Sequence, residues 1–228
     1  MSKRILFILT SNASMGASGK VTGIWAEELA VPYNALIDAG HSVELASPLG
    51  GAAPMDPASL KPKGENHPAV ERFLNDAVAQ AKAANTHMVG QVKAAEFDAV
   101  FFPGGHGTMW DLPGDAGVTR VVEVAFNAGN IVASVCHGAA GLVSAKRADG
   151  KSILAGLRVN SFTDAEEAAA GLAGVVPFML ESRIRELGGV FEGAANWQAF
   201  AVRDGQLITG QNPASSALVA QHVIEALA

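Results

Sequence analysis

Short apolar runs that end in glycine, serine or proline alternate along this chain with longer stretches of helical period. That rhythm belongs to strands and helices in alternation, and it narrows the fold more than any other feature. A run without polar alternation suits a strand covered on both faces, the condition of a parallel sheet with helices on either side. Strands are predicted at residues 4–9, 42–46, 98–102, 130–135 and 158–160, with a hairpin turning at Asp204-Gly205. Helices are predicted at 24–39, 69–83, 116–127, 138–144, 178–186 and 213–227, the last opened by Asn212 as a cap and Pro213 in the first turn. Residues 48–68 are rich in Gly, Pro and Ala with weak periodicity and read as a long loop or insertion. No repeat, low-complexity tract or linker divides the chain, so the expectation is one α/β domain over 1–228.

Charge and cysteine usage exclude several functions. A net charge of −6 leaves no broad cationic surface for nucleic acid or an anionic membrane. One cysteine in 228 residues excludes an intrachain disulfide framework and a multi-cysteine zinc site, and it points to a reducing compartment, the cytoplasm by default. The start "MSKRILFILTSNAS" is basic, but its apolar run over 5–9 is too short for an export signal or a membrane span. It reads as the first buried strand. His41, His67, His87, His106, His137 and His222 form no helical i, i+4 pair and match no zinc spacing, so no metal is expected.

Three stretches carry chemistry. In "IVASVCHGAA", residues 131–140, an apolar strand runs into Cys136, His137 and Gly138 before a predicted helix. Small residues two before and two after the cysteine allow the sharp turn of a nucleophile elbow. A helix beginning there would aim its N-terminal dipole at the sulfur, which predicts a lowered thiol pKa and N–H groups for an oxyanion. In "FFPGGHG", residues 101–107, Gly104 and Gly105 let backbone approach a ligand closely, and His106 is placed to line the pocket. The spacing fits neither a dinucleotide nor a phosphate loop, and half an oxyanion hole is the better reading. In "TGIWAEELAVPY", residues 22–33, Glu28 shares a helix face with Ile24, Val31 and Ala35, whereas Glu27, Asn34 and Asp38 share a more polar one. A carboxylate in an apolar stripe needs a partner or a raised pKa, and a raised pKa beside a thiol suits a proton shuttle. The loop "SNASMGASGK", residues 11–20, is expected at the pocket rim, with Trp25 and Trp110 as candidate walls.

Together, "TGIWAEEL", "FFPGGHGTMWDLP", "VCHGAAGL", "FTDAEE" and "GQNPASS" occur in an order that resembles the ThiJ/PfpI superfamily, which includes the parkinsonism-associated deglycase. Within it, the chain is most similar to the glutathione-independent glyoxalase III and heat-shock chaperone branch. The resemblance spans nearly the whole chain. It implies a flavodoxin-like α/β sandwich with a mostly parallel sheet and helices on both faces, a homodimer, and no cofactor. It further implies Cys136 as nucleophile, His137 as its triad neighbour, Glu28 as the helix carboxylate, and Gly105 with His137 as oxyanion donors. Glu167 is selected as the third triad acid by alignment on Phe162-Thr163-Asp164, with Asp164 and Glu166 left open. The implied substrates are methylglyoxal and related small 2-oxoaldehydes, converted to 2-hydroxy acids, with protein deglycation at the same site. The alternatives are a holding chaperone or cysteine redox sensor, and a cysteine peptidase as a minor one. A glutamine amidotransferase is disfavoured because the late His222 has Glu225 three residues on, where a His-x-Glu pair is needed.

Overall fold

The computed structural model describes residues 1–228. The first half runs β1 (Arg4–Ile8), α1 (Ala26–Asp38), β2 (Ser42–Ser47), α2 (Pro68–Asn75), α3 (Ala77–Ala84), β3 (His87–Met88), β4 (Ala99–Phe102) and α4 (Thr108–Asp111). It continues through α5 (Ala116–Asn127), β5 (Ile131–Val135), β6 (Arg158–Val159), α6 (Asp164–Ala169), α7 (Leu180–Glu186) and β7 (Val190–Phe191). The hairpin β8 (Ala201–Asp204) and β9 (Leu207–Gly210) precedes the closing α8 (Ser216–Leu227).

Seven strands form one sheet in the order β3-β2-β1-β4-β5-β9-β8, parallel except for β8 against β9. Side chains alternate between the two faces as strand geometry requires. Leu6, Ile8, Val100 and Val132 enter a cluster of 27 buried residues that includes Val118, Val121 and Val122 of α5. Ile5, Phe7, Phe101 and Ala133 enter a second cluster of 25, packed by Leu29 and Tyr33 of α1 and by Val219 and Val223 of α8. Both faces are therefore covered, which is why the central strands lack polar alternation. Phe7 and Phe101 face each other across β1 and β4 in register, with rings stacked 4.6 Å apart. Each such ring contributes about 1.5–3 kcal/mol by leaving water.

Strand β1 lies between β2 and β4, so the chain order reverses there and the carboxyl ends of β1, β4 and β5 open onto a shared crevice. The loops after these strands carry the candidate residues.

Some expectations are corrected. The helix expected over 69–83 is two, because Asp76 adopts extended backbone and its carboxylate caps Val78 N and Ala79 N, starting α3 afresh. The strand expected at 158–160 stands outside the main sheet and pairs instead with Val190–Phe191. The helix expected over 138–144 is a 3-10 helix, Cys136–Leu142. Gly138 and Gly141 press directly on Phe102 there, and a Cβ at Gly141 would lie 2.6 Å from its ring. In α1, Asn34 belongs to the buried side, donating to Ala69 O at 2.9 Å, and the core stripe centres on Leu29, Tyr33 and Leu36. Glu28 is fully buried, while Val31 and Ala35 are only half-buried.

Candidate active site

The elbow after β5 is built by local strain. Cys136 has φ 58, a left-handed conformation that non-glycine residues rarely adopt. Such a residue costs on the order of 1–3 kcal/mol and persists only where its surroundings over-determine it. Here the surroundings are Gly138, whose added Cβ would collide with the carbonyl of Phe102 at the end of β4. Gly138→Ala is therefore expected to destabilise the fold by about 3 kcal/mol, since neither backbone can move without breaking the sheet. Urea denaturation checks this, and an unchanged midpoint would mean that the elbow is looser than its packing indicates.

The thiol opens a chain of side chains. Cys136 Sγ lies 3.3 Å from His137 Nδ1, and His137 Nε2 lies 2.6 Å from Glu167 Oε2. Glu167 Oε1 reaches a second imidazole, His106 Nε2, at 2.9 Å. Burial alone would raise the Glu167 carboxyl, but hydrogen bonds from His106 and His137 outweigh it and hold it at about 2. An ionised carboxylate only accepts, so His137 carries its proton on Nε2 and presents Nδ1 to the sulfur as an acceptor. Burial, with His106 beside it, lowers His137 to about 4, leaving the imidazole neutral at physiological pH.

Of the three acids left open by the sequence, only Glu167 bonds His137. Asp164 sits at the surface end of α6, bonded to Ser182. Glu166 is fully buried but bonds neither imidazole, accepting instead from Thr163 N, Trp197 N, Gln211 Nε2 and Asn212 Nδ2. It is a structural hub. Its signal was the Thr163-x-x-Glu166 capping box at the start of α6.

Glu28 stands on the other side of the sulfur, in the first turn of α1. Burial pushes its carboxyl up to about 8, tempered by the nearby Cys136 thiol and Gly104 backbone, although neither carboxyl oxygen makes a hydrogen bond within the protein. The start of α1 is tied to the glycine turn by Trp25 N donating to Gly104 O at 3.0 Å. Gly105 has φ 112, and a Cβ on it would strike the carbonyl of Gly23. Both glycines are thus required by close backbone approach. Gly105 N donates to no backbone carbonyl, which leaves it for a ligand.

The lowered thiol pKa expected from a helix dipole is overturned. The thiol of Cys136 is pushed well up, first by burial and then by the Glu28 carboxyl against it. A short 3-10 turn has a weak dipole, and a fully buried sulfur loses more from desolvation than the turn returns. At neutral pH the pair is a protonated carboxyl and a thiol, with the neutral His137 Nδ1 as the available base.

A cavity of about 540 Å³ opens above these groups. Glu28, Gly105, His106, Cys136 and His137 form its floor, and Met15, Lys20, Trp25, Phe162, Leu172 and Trp197 are among its walls. The 11–20 loop thus contributes to the rim through Met15 and Lys20. Gly104, expected beside the substrate, is not part of the lining and packs instead under Glu28. Trp110, expected as a wall, covers Gly16 instead. Phe162 and Trp197 were not anticipated as walls: one lies in a motif read for its acids, the other in a polar stretch without periodicity. His106, His137 and Glu167 also bring three metal-ligating atoms within 4.8 Å of one another. Their nitrogens and oxygens already satisfy one another, so a cation there would have to displace His–carboxylate hydrogen bonds.

Fold and site together define a doubly wound α/β protein with a buried cysteine at a strained elbow, an adjoining imidazole–carboxylate pair and a protonated glutamic acid. Residues 21–226 match the DJ-1/PfpI family, and the chain belongs to that family. It is 28% identical to a glutathione-independent glyoxalase of Saccharomyces cerevisiae, over 99% of this chain and 98% of the relative. The crystal structure of glyoxalase III from Candida albicans superposes with a TM-score of 0.89 at 26% identity, covering 98% of this chain and 97% of that one. The Rapid Encystment Protein of Francisella tularensis superposes at 0.94 with 34% identity, over 99% of both chains. No helix is long and apolar enough to cross a membrane.

Proposed function

We propose that this protein is a glutathione-independent glyoxalase that converts 2-oxoaldehydes to 2-hydroxy acids through a hemithioacetal on Cys136. The observation that carries the reading is the placement of the thiol between a neutral acceptor, His137 Nδ1, and a protonated donor, Glu28. His137 Nδ1 takes the thiol proton as sulfur attacks the aldehyde carbon. The developing oxyanion meets the N–H groups of Gly105 and His137, and Glu28 protonates it. Glu28, now a carboxylate, removes the hydrogen from the former aldehyde carbon while the keto oxygen takes the proton held by His137, giving an enediol. Glu28 then delivers its proton to the neighbouring keto carbon and takes the proton of the first hydroxyl as the thioester carbonyl forms, so both side chains return to their starting states. The product is a thioester of a 2-hydroxy acid, and water cleaves it to the free acid and the thiol. The sum is oxoaldehyde plus water to hydroxy acid, without an external oxidant, a reductant or glutathione. Protein deglycation would use the same groups on a larger adduct, and the homodimeric state and cytoplasmic location belong to the same reading.

The raised pKa of Cys136 disfavours the redox sensor, which requires a thiol of low pKa. The glyoxalase names of relatives matched over nearly their full length favour the enzyme over a holding chaperone. The test is methylglyoxal consumption and lactate formation in glutathione-free buffer. No lactate, with suppression of client aggregation, would reverse the preference.

A pH profile follows from the two pKa values. His137 must be unprotonated and Glu28 protonated in the free enzyme, so kcat/KM falls as pH drops through about 4 and as it rises through about 8. Steady-state rates from pH 3.5 to 9.5 check this. A rate still rising at pH 9 would mean that thiol ionisation, rather than the Glu28 proton, limits turnover.

A further inference from the structure

The cavity is larger and more aromatic than a three-carbon oxoaldehyde requires. Methylglyoxal is comparable to three or four waters, roughly 100 Å³ at about 30 Å³ each. The cavity offers about 540 Å³, a size that accommodates ligands with a ring. Its apolar side is continuous. Ring centroids step from Trp197 to Phe162 at 5.6 Å and from Phe162 to His137 at 4.4 Å, reaching the residue beside the thiol. Leu172 and Val21 line the same space.

Trp197 is held at the mouth by machinery that packing does not explain. Its backbone has φ 66, a conformation that favours glycine, and the residue is 50% exposed. Its backbone N–H donates at 2.8 Å to Glu166 Oε1, which also accepts from Asn212 at 2.8 Å and Gln211 at 3.1 Å. A strained backbone pinned by a buried carboxylate, presenting a half-exposed aromatic residue, suits contact with a ligand.

We propose that Trp197 is a specificity-determining residue that makes the site select 2-oxoaldehydes bearing an apolar, ring-sized substituent on the keto carbon over methylglyoxal. With the aldehyde carbon on Cys136 and its oxygen at Gly105, that substituent lies along Phe162 and ends against the indole. The chemistry rests on the glyoxalase reading; the binding preference does not.

The experiment compares kcat/KM for phenylglyoxal and methylglyoxal in wild type, Trp197→Phe and Trp197→Gly. Glycine adopts φ 66 freely, so the last variant removes the ring without straining the backbone. The phenylglyoxal-to-methylglyoxal ratio is expected to fall about tenfold in Trp197→Gly and less in Trp197→Phe. An unchanged ratio overturns the proposal, as does an equal loss for both substrates. Equilibrium binding of mandelate and lactate to Cys136→Ser separates preference from chemistry. Mandelate is expected to bind about tenfold tighter than lactate, a difference lost when Trp197→Gly is added. If that difference stands while neither oxoaldehyde is turned over, the glyoxalase reading fails and the selectivity stands. If it is absent, the selectivity fails whatever the turnover.

Discussion

Glu28→Gln is expected to slow turnover by about 10²–10⁴ and, at the same time, to make the protein more stable. The amide keeps the shape and can still approach the sulfur, but it cannot give up and regain a proton. The stability gain comes from the site that it empties of acid. Folded Glu28 keeps its proton up to about 8, whereas an unfolded glutamate releases it near 4.5. Between those values the unfolded chain binds fewer protons, so wild-type stability falls as pH rises through that window. At about 1.4 kcal/mol per unit, the deficit approaches ~3 kcal/mol by neutral pH. Glu28→Gln removes it, and the difference from wild type should be small below pH 4.5, grow to pH 8 and then level off. Glu27→Gln, on a half-buried neighbour with no contact to the sulfur, should leave rates within about twofold. Rates together with urea denaturation at pH 4.5 and 8 check both halves. Equal loss from the two variants would mean that the wrong face of α1 has been assigned the chemistry.

Glu167→Gln is the second large effect, with kcat/KM expected to fall about 10²-fold or more. The carboxylate serves two imidazoles, and an amide has one oxygen for the pair. It also lacks the charge that favours an imidazolium once His137 takes the thiol proton. His137, already at about 4 through burial, becomes a still weaker base, so the acid limb of the pH profile moves to lower pH as the plateau falls. Asp164→Asn, on the surface end of the same helix, should change neither. A Glu167→Gln enzyme with unaltered rate and profile would remove His137 from the proton path.

The layers of the fold were legible because burial on both faces writes itself into a strand as a run without polar alternation: Ile5 to Leu9, and Ile131 to Val135 with Ser134 its one polar residue. What escaped were elements too short for a period to show, such as His87–Met88 and Val190–Phe191, and the break at Asp76, where one capping side chain outweighs a continuous helical pattern. In the site, Cys136, Gly105 and Glu28 were legible from chemistry in the wrong place: a thiol at a strand end, paired glycines, a carboxylate in an apolar stripe. The selection of Glu167 over Asp164 and Glu166 came from the family resemblance and not from the residues themselves, since adjacent carboxylates on one turn differ only in where the turn points. The thiol pKa was misjudged because sequence shows the turn that follows Cys136 but not the complete burial of its sulfur. Trp197 left no trace, as its place depends on a carboxylate some thirty residues away.

The most direct test is lactate formed from methylglyoxal in glutathione-free buffer by wild type and by Cys136→Ser, with both confirmed folded. The mechanism predicts lactate from wild type and none above background from Cys136→Ser, because a buried hydroxyl cannot replace the thiol as nucleophile. Lactate at comparable rates from both would contradict the central claim, leaving Cys136 as a strained core residue beside some other catalytic group.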